Sequence, residues 1–141
     1  MVIKQLSVFV ENQWGKMAEI TKVLAEHDID IRALSIADTT DFGILRLIVN
    51  HPSRAENALR EQGFTVSQTE VIAVGVEDVP GGLSTALTVL KDAQIAVEYM
   101  YAFVSKEEKT AYVILRVEDN AHAENVLRTH DIKILSGDEI Y

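Results

Sequence analysis

The sequence predicts an α+β fold made of two consecutive βαββαβ units, each an antiparallel sheet with its helices on one face. Three observations predict it. First, residues 11 to 35 return at 77 to 101, shifted by 66 positions, so that Glu11, Gly15, Val23, Leu24 and Ile29 reappear as Glu77, Gly81, Val89, Leu90 and Ile95. The block Ala55 to Arg60 returns as Ala123 to Arg128, shifted by 68, which places a two-residue insertion between the matched stretches. Second, within each copy the apolar spacing switches between the two-residue period of a strand and the helical period. Third, the span from Val66 to Val74 has no Gly, Pro or Ser-rich stretch, so the last strand of copy one is expected to run straight into the first strand of copy two. That favours a rigid side-by-side pair over beads on a string. The expected units are residues 1–70 and 71–141, each small enough to be marginal alone.

In copy one, Lys4 to Val10 is a short β-rich run closed by the polar Glu11-Asn12-Gln13. From Met17 the apolar Ile20, Val23 and Leu24 fall at helical spacing, ending at His27-Asp28. Ile29 to Ile36 and Gly43 to Val49 read as a strand pair turned at Asp38 to Asp41. Pro52-Ser53 opens a second helix with Ala55, Ala58 and Leu59 inward, Gly63 closes it, and Phe64 to Ser67 begins the closing strand. Copy two repeats the order. It has a strand at Val71 to Val76, a helix with Leu83, Ala86, Leu87 and Leu90 on one face, and strands Ile95 to Val104 and Thr110 to Val117. A helix with Ala123, Val126 and Leu127 inward and a closing strand Ile132 to Leu135 complete it. This is the split-βαβ, ferredoxin-like arrangement.

A sheet with one wet face alternates apolar and polar residues, and these strands do not. Leu45, Leu47 and Val49 make one apolar row while Ile44 and Ile48 stand in the other, interrupted by Arg46. Tyr112 and Ile114 do the same against Val113, Leu115 and Val117, and Tyr99, Tyr101 and Phe103 stand where copy one has Ala33, Ser35 and Ala37. Either a second copy of the chain covers this face, giving a homodimer, or bulges shift the phase of the strands.

Composition narrows the function. A formal charge of −9, with 13 Lys and Arg scattered singly, disfavours nucleic acid and anionic membranes. No apolar run approaches the roughly 18 residues that span a bilayer, and the start lacks a signal-peptide layout, so the expected location is the cytoplasm. The absence of cysteine removes disulfides, thiol catalysis and cysteine-bound metal. His27, His51, His122 and His130 occupy no equivalent repeat positions and show no ligand spacing, so no metal is expected. A nucleophile elbow, a P-loop and a G-x-G-x-x-G turn are all missing from the sequence, so neither catalytic residues nor a cofactor are expected. Glu107-Glu108 and Asp138-Glu139 read as solvated charge, and the Tyr99-Tyr101-Phe103 row lacks the basic track of an RNA platform.

The segment that carries function is the junction of first strand and first helix, Glu11 to Met17 and Glu77 to Leu83. A helix N-terminus offers unpaired N–H groups and partial positive charge to a carboxylate or phosphate, and glycine permits close approach. The βαββαβ unit with Asp78-Val79-Pro80-Gly81-Gly82-Leu83 at this turn resembles an ACT domain, and the resemblance covers the chain as a tandem pair. It implies a non-catalytic regulatory module that binds an amino acid or similar effector at interfaces between paired domains, which often align into eight-stranded sheets. A free-standing pair is similar to small regulatory subunits, such as that of acetolactate synthase, and to amino-acid sensor proteins. A partner enzyme is therefore the alternative expectation.

Carried over by the resemblance, the candidate contacts are Asn12, Gln13, Trp14, Gly15, Lys16 and Met17 in copy one, and Asp78, Val79, Pro80, Gly81, Gly82 and Leu83 in copy two. The resemblance implies that the ligand meets this turn from one unit and the second strand of its neighbour, so that the strand-end residues Ile36, Ala37 and Asp38, with Ala102, Phe103 and Val104, are the expected facing wall. Helix N–H groups would take the ligand carboxylate, and Asn12, Asp38 or Asp78 with strand carbonyls its ammonium. Copy one departs from the motif, with Trp14 for the proline and Lys16 for the second glycine. Lys16 either pairs with the ligand or fills the space that Gly82 leaves open. Trp14 either stacks on the ligand or packs as a cap over the helix start. The expectation is one competent turn, in copy two, with a modified counterpart in copy one.

Overall fold

The computed structural model describes residues 2–38, 41–104 and 109–140. The expected turn at 38–41 and the polar turn at 105–109 that holds the insertion fall largely outside them. The elements are β1 (Ile3–Glu11), α1 (Lys16–Glu26), β2 (Ile31–Asp38), β3 (Phe42–Val49), α2 (Pro52–Glu61), β4 (Thr65–Glu77), α3 (Gly82–Asp92), β5 (Tyr99–Val104), β6 (Thr110–Arg116), α4 (Asn120–Thr129), β7 (Lys133–Ile134) and α5 (Gly137–Ile140). Two compact units emerge, one over residues 4–69 and one over residues 70–140 together with Val2 and Ile3. β4 is a single thirteen-residue strand, closing the sheet of the first unit and opening that of the second.

Strand order in the first unit is β2-β3-β1-β4, and in the second β5-β6-β4-β7. In both units the closing strand lies beside the first one. The alternation of β1 places Leu6 opposite Leu47 and Val8 opposite Leu45, and this row packs on Ile20, Val23 and Leu24 of α1 and Ala55, Ala58 and Leu59 of α2. The second core repeats it, with Ile72, Val74, Val113 and Leu115 against Ala86, Leu90, Ala123 and Leu127. Each Val, Leu or Ile among them contributes about 1.5–3 kcal/mol by leaving water.

The face away from the helices is largely buried as well. Gln5, Ala33 and Ile48 in the first unit, and Val71, Ala73, Tyr112 and Ile114 in the second, are buried in the single chain. A second copy is therefore not needed to explain those residues. β2 also carries a register shift between Ile31 and Ala33, so a bulge does change the phase of one strand. The large apolar residues left exposed include Phe9, Leu34, Ile36, Phe42 and Met100.

Three expected strand starts were placed too early, for one reason. Ile29, Ile95 and Ile132 donate their N–H groups to the carbonyls of Leu24, Leu90 and Leu127. Each therefore finishes a helix cap, after a residue in left-handed conformation, rather than opening a ladder. Those preceding residues are Asp28, Gln94 and Asp131. The left-handed region costs a non-glycine residue about 1–2 kcal/mol. Gln94→Gly is expected to stabilise the protein by roughly 0.5–1 kcal/mol after allowing for glycine's greater freedom when unfolded. Denaturant unfolding measures this, and a loss of stability would contradict the account.

β7 is shorter than expected, although the Leu135 N–H extends it by donating to the Ala73 carbonyl at 2.8 Å. α5 was not foreseen. Ser136-Gly137-Asp138-Glu139 forms half of a capping box, in which the Glu139 carboxylate accepts from the Ser136 N–H at 2.9 Å, while the Glu139 N–H donates to the Ser136 backbone carbonyl as in a turn. This turn carries Ile140 into a buried position.

Candidate functional site

Each unit presents the same turn between its first strand and first helix. Gly15 has φ +87° and ψ −13°, and Gly81 has φ +89° and ψ −9°. Both values lie where a side chain is strained, which is why glycine stands at both positions. The Asn12 N–H donates to the Asp41 carbonyl at 2.9 Å and the Asp78 N–H to the Lys109 carbonyl at 2.6 Å, tying each turn to its neighbouring hairpin. Glu19 and Thr85 then donate to the Gly15 and Gly81 carbonyls, both at 3.0 Å, and the helices begin. Neither start has a side-chain cap, whereas in α4 the Asp119 carboxylate accepts from the His122 N–H. The Lys16 and Gly82 N–H groups that open α1 and α3 donate to the Gln13 and Val79 carbonyls at 3.4 and 3.0 Å, which leaves the next two N–H groups of each helix, those of Met17 and Ala18 and of Leu83 and Ser84, without a side-chain cap.

The turns differ where the sequences differ. In the first unit the Gln13 N–H donates to the Glu11 carbonyl at 2.7 Å, and Lys16 is accommodated. In the second, a Cβ on Gly82 would overlap the Glu77 carbonyl oxygen. Glycine at 82 is required by close backbone approach.

A recess lies at each turn. That of the first unit has a volume of about 310 Å³ and is lined by Phe9, Glu11, Lys16, Glu19, Phe42 and residues 62–65. That of the second, about 300 Å³, is lined by Gly75, Val76, Glu77, Gly82, Thr85, Ala86 and residues 130–132. The two recesses are built from matching positions, in each case the end of the first strand, the start of the first helix and the connection from second helix to closing strand.

Of the expected contacts, Gly82 and Lys16 line the recesses, and Lys16 is held by Glu19 at 3.7 Å. Met17 and Leu83 pack their side chains against the two cores, leaving only their backbone groups for a ligand. Asn12, Gln13, Asp78, Val79 and Pro80 are exposed around the turns. Trp14 is 98% exposed, so it does not pack as a cap over the helix start.

Within a unit the expected facing wall is not brought to the turn. Ile36 and Ala37 are exposed on β2, which β3 separates from β1, and Asp38 pairs with Gly43 at the end of that strand. Ala102 is exposed on β5, Val104 pairs with Ala111, and Phe103 packs edge-on to Tyr112, ring centroids 5.4 Å apart. Within a unit the turn is faced instead by the α2–β4 connection, Gln62 to Thr65, and its counterpart His130 to Ile132, which the motif does not name. The signal was present in the topology, since the closing strand of a split βαβ unit lies beside the first.

The family model of the ACT domain pair matches residues 1–140. The chain belongs to that family. A crystal structure of the protein BT0572 from Bacteroides thetaiotaomicron is 38% identical, with a TM-score of 0.94, covering 100% of this chain and 96% of that one. The ligand-free regulatory subunit of aspartate kinase from Thermus thermophilus is similar in fold at 18% identity, with a TM-score of 0.67 and 91% of each chain covered. The corresponding subunit from Thermus flavus, at 14% identity and a TM-score of 0.67, covers 91% of this chain and 90% of that one. No curated protein matches the chain. An ACT pair is a regulatory rather than a catalytic type of domain. Among the described residues no cluster of three His, Cys, Asp or Glu is placed to hold a metal ion, and no helix is long and apolar enough to cross a membrane.

Proposed function

We propose that this ACT pair, with units at residues 1–70 and 71–141, is a non-catalytic cytoplasmic sensor of an amino acid. The ligand binds at the glycine turns and its occupancy is read out through the pairing of domains in a homodimer. The observation that carries the reading is the repetition of one recess in both units, each beside an uncapped helix start. A ligand carboxylate fits the uncapped N–H groups of Met17 and Ala18, or of Leu83 and Ser84, and the partial positive charge there. Glu11 and Glu77 stand in the two linings to meet an α-ammonium group. Coupling requires that the ligand bind one arrangement of the domains more tightly than another.

Thermal denaturation across the common amino acids tests this. One or two of them, at a hundredfold excess over Kd, are expected to stabilise the protein by about 2.7 kcal/mol, a rise of several degrees in Tm. Silence across the whole set sinks the reading.

A second reading, a subunit that mainly holds a partner biosynthetic enzyme, is favoured by β2, a sheet edge carrying the half-exposed Leu34 and Ile36. Purification from the native cell separates the two, since a lone homodimer there counts heavily against the partner.

A further inference from the structure

The two recesses match in position but not in chemistry. At the position of Phe9 the second unit has Gly75, at Phe42 it has Thr110, and at Lys16 it has Gly82. Phe9 and Phe42 lie on adjacent strands and on the same face, since Phe9 pairs with Ile44 and Phe42 with Glu11. That diagonal is within reach of two aromatic rings. Both are unusually open for phenylalanine, 55% and 52% exposed, and both line the recess of the first unit. Phe64, also in the lining, closes the cap of α2 and packs on the core.

Water-exposed aromatic surface concentrated at a recess marks a contact surface. At about 310 Å³ the recess is at the small end for ligand sites, the scale of one free amino acid. Its charged groups are Glu11, Glu19 and Lys16, so Glu11 stands to meet an ammonium, and Lys16, paired with Glu19 at 3.7 Å, would turn to meet a carboxylate beside the start of α1. The second recess has Glu77 and Asp131 in its lining and neither Lys nor Arg. A zwitterion with a ring or large apolar side chain complements the first lining better than the second.

We infer that the first unit's recess selects an amino acid with an aromatic or large apolar side chain, held against Phe9 and Phe42, and that the two units have different ligand preferences. This rests on the amino-acid reading above and adds the side-chain class and the unit. Phe9 and Phe42 set specificity, and the turn supplies the groups that hold the α-carbon substituents.

The test is calorimetric titration of the full chain with phenylalanine, leucine, alanine and lysine, with sedimentation of every variant. Phenylalanine or leucine is expected to bind at least tenfold more tightly than alanine or lysine. Phe9→Ala and Phe42→Ala are each expected to weaken that binding roughly tenfold. Met100→Ala, which removes an exposed apolar side chain in the second unit, is expected to leave it unchanged. Both phenylalanines are half-exposed, so the unliganded variants should keep the wild-type unfolding midpoint within a few degrees. A preference for alanine or lysine overturns the inference. So does tight phenylalanine binding that ignores both Phe variants or that disappears in Gly81→Val alone, and in each of these cases the amino-acid reading survives. Failure of all four ligands and of every other amino acid overturns both. Phe variants that change the sedimenting mass without changing affinity show the patch to be a contact between copies, which also overturns the inference.

Discussion

Gly82→Lys is expected to destabilise the second unit by about 3 kcal/mol or more, although lysine is the residue at the matching position of the first. The reason is backbone rather than side chain. A Cβ at 82 would overlap the Glu77 carbonyl oxygen and lie 3.0 Å from the Glu77 carbonyl carbon, and neither atom is the movable end of a side chain. In the first unit the Glu11 carbonyl is engaged by the Gln13 N–H, and Lys16 fits. The reciprocal change, Lys16→Gly, loses an exposed ion pair with Glu19 and some helix propensity, together about 1 kcal/mol or less. Denaturant unfolding of the two variants measures the asymmetry. If Gly82→Lys unfolds within 0.5 kcal/mol of wild type, the second turn can relax into the geometry of the first and the close approach is not a constraint.

That asymmetry shows which parts of this protein can be read from its sequence. The helices were legible because Ile20, Val23 and Leu24, and again Ala86 and Leu90, recur at the spacing that faces one side. The duplication and the glycines at 15 and 81 were legible because left-handed backbone demands a residue type. Strand starts were not, because Ile29, Ile95 and Ile132 look like strand residues locally while a bond back to the preceding helix decides their role. The turn at Ser136 to Glu139 was legible in principle from its S-x-x-E spacing, but the acids were read as solvated charge. Homodimer contact was inferred from two-sided apolar strands, yet Ile48 and Ile114 are buried in the single chain, and apolarity alone does not say what covers a face. The recesses were half legible. Their turns carry a motif, whereas Phe9, Phe42 and the α2–β4 connection reach the turn only through strand pairing.

Leu24→Ala and Leu90→Ala, at matching positions of α1 and α3, are each expected to cost about 3–5 kcal/mol. Both side chains are buried in the centre of their cores, and the loss combines transfer of the side chain with the cavity it leaves. A small domain has only about 5–15 kcal/mol in total, so a loss of this size in a unit of about 70 residues would leave that unit largely unfolded if it stood alone. The units do not stand alone, because β4 supplies the closing strand of one and the first strand of the other without a break. Order lost at one end of a continuous strand spreads along it to the end that serves the other sheet. Amide exchange in β1 and β3 is therefore expected to accelerate in Leu90→Ala, and exchange in β6 in Leu24→Ala, by amounts comparable to those near the substitution. Acceleration confined to the altered unit would mean that β4 breaks at its middle and the two units open independently. Acceleration in both makes the shared strand the cooperative element, and a ligand that stabilises one turn would then protect both sheets.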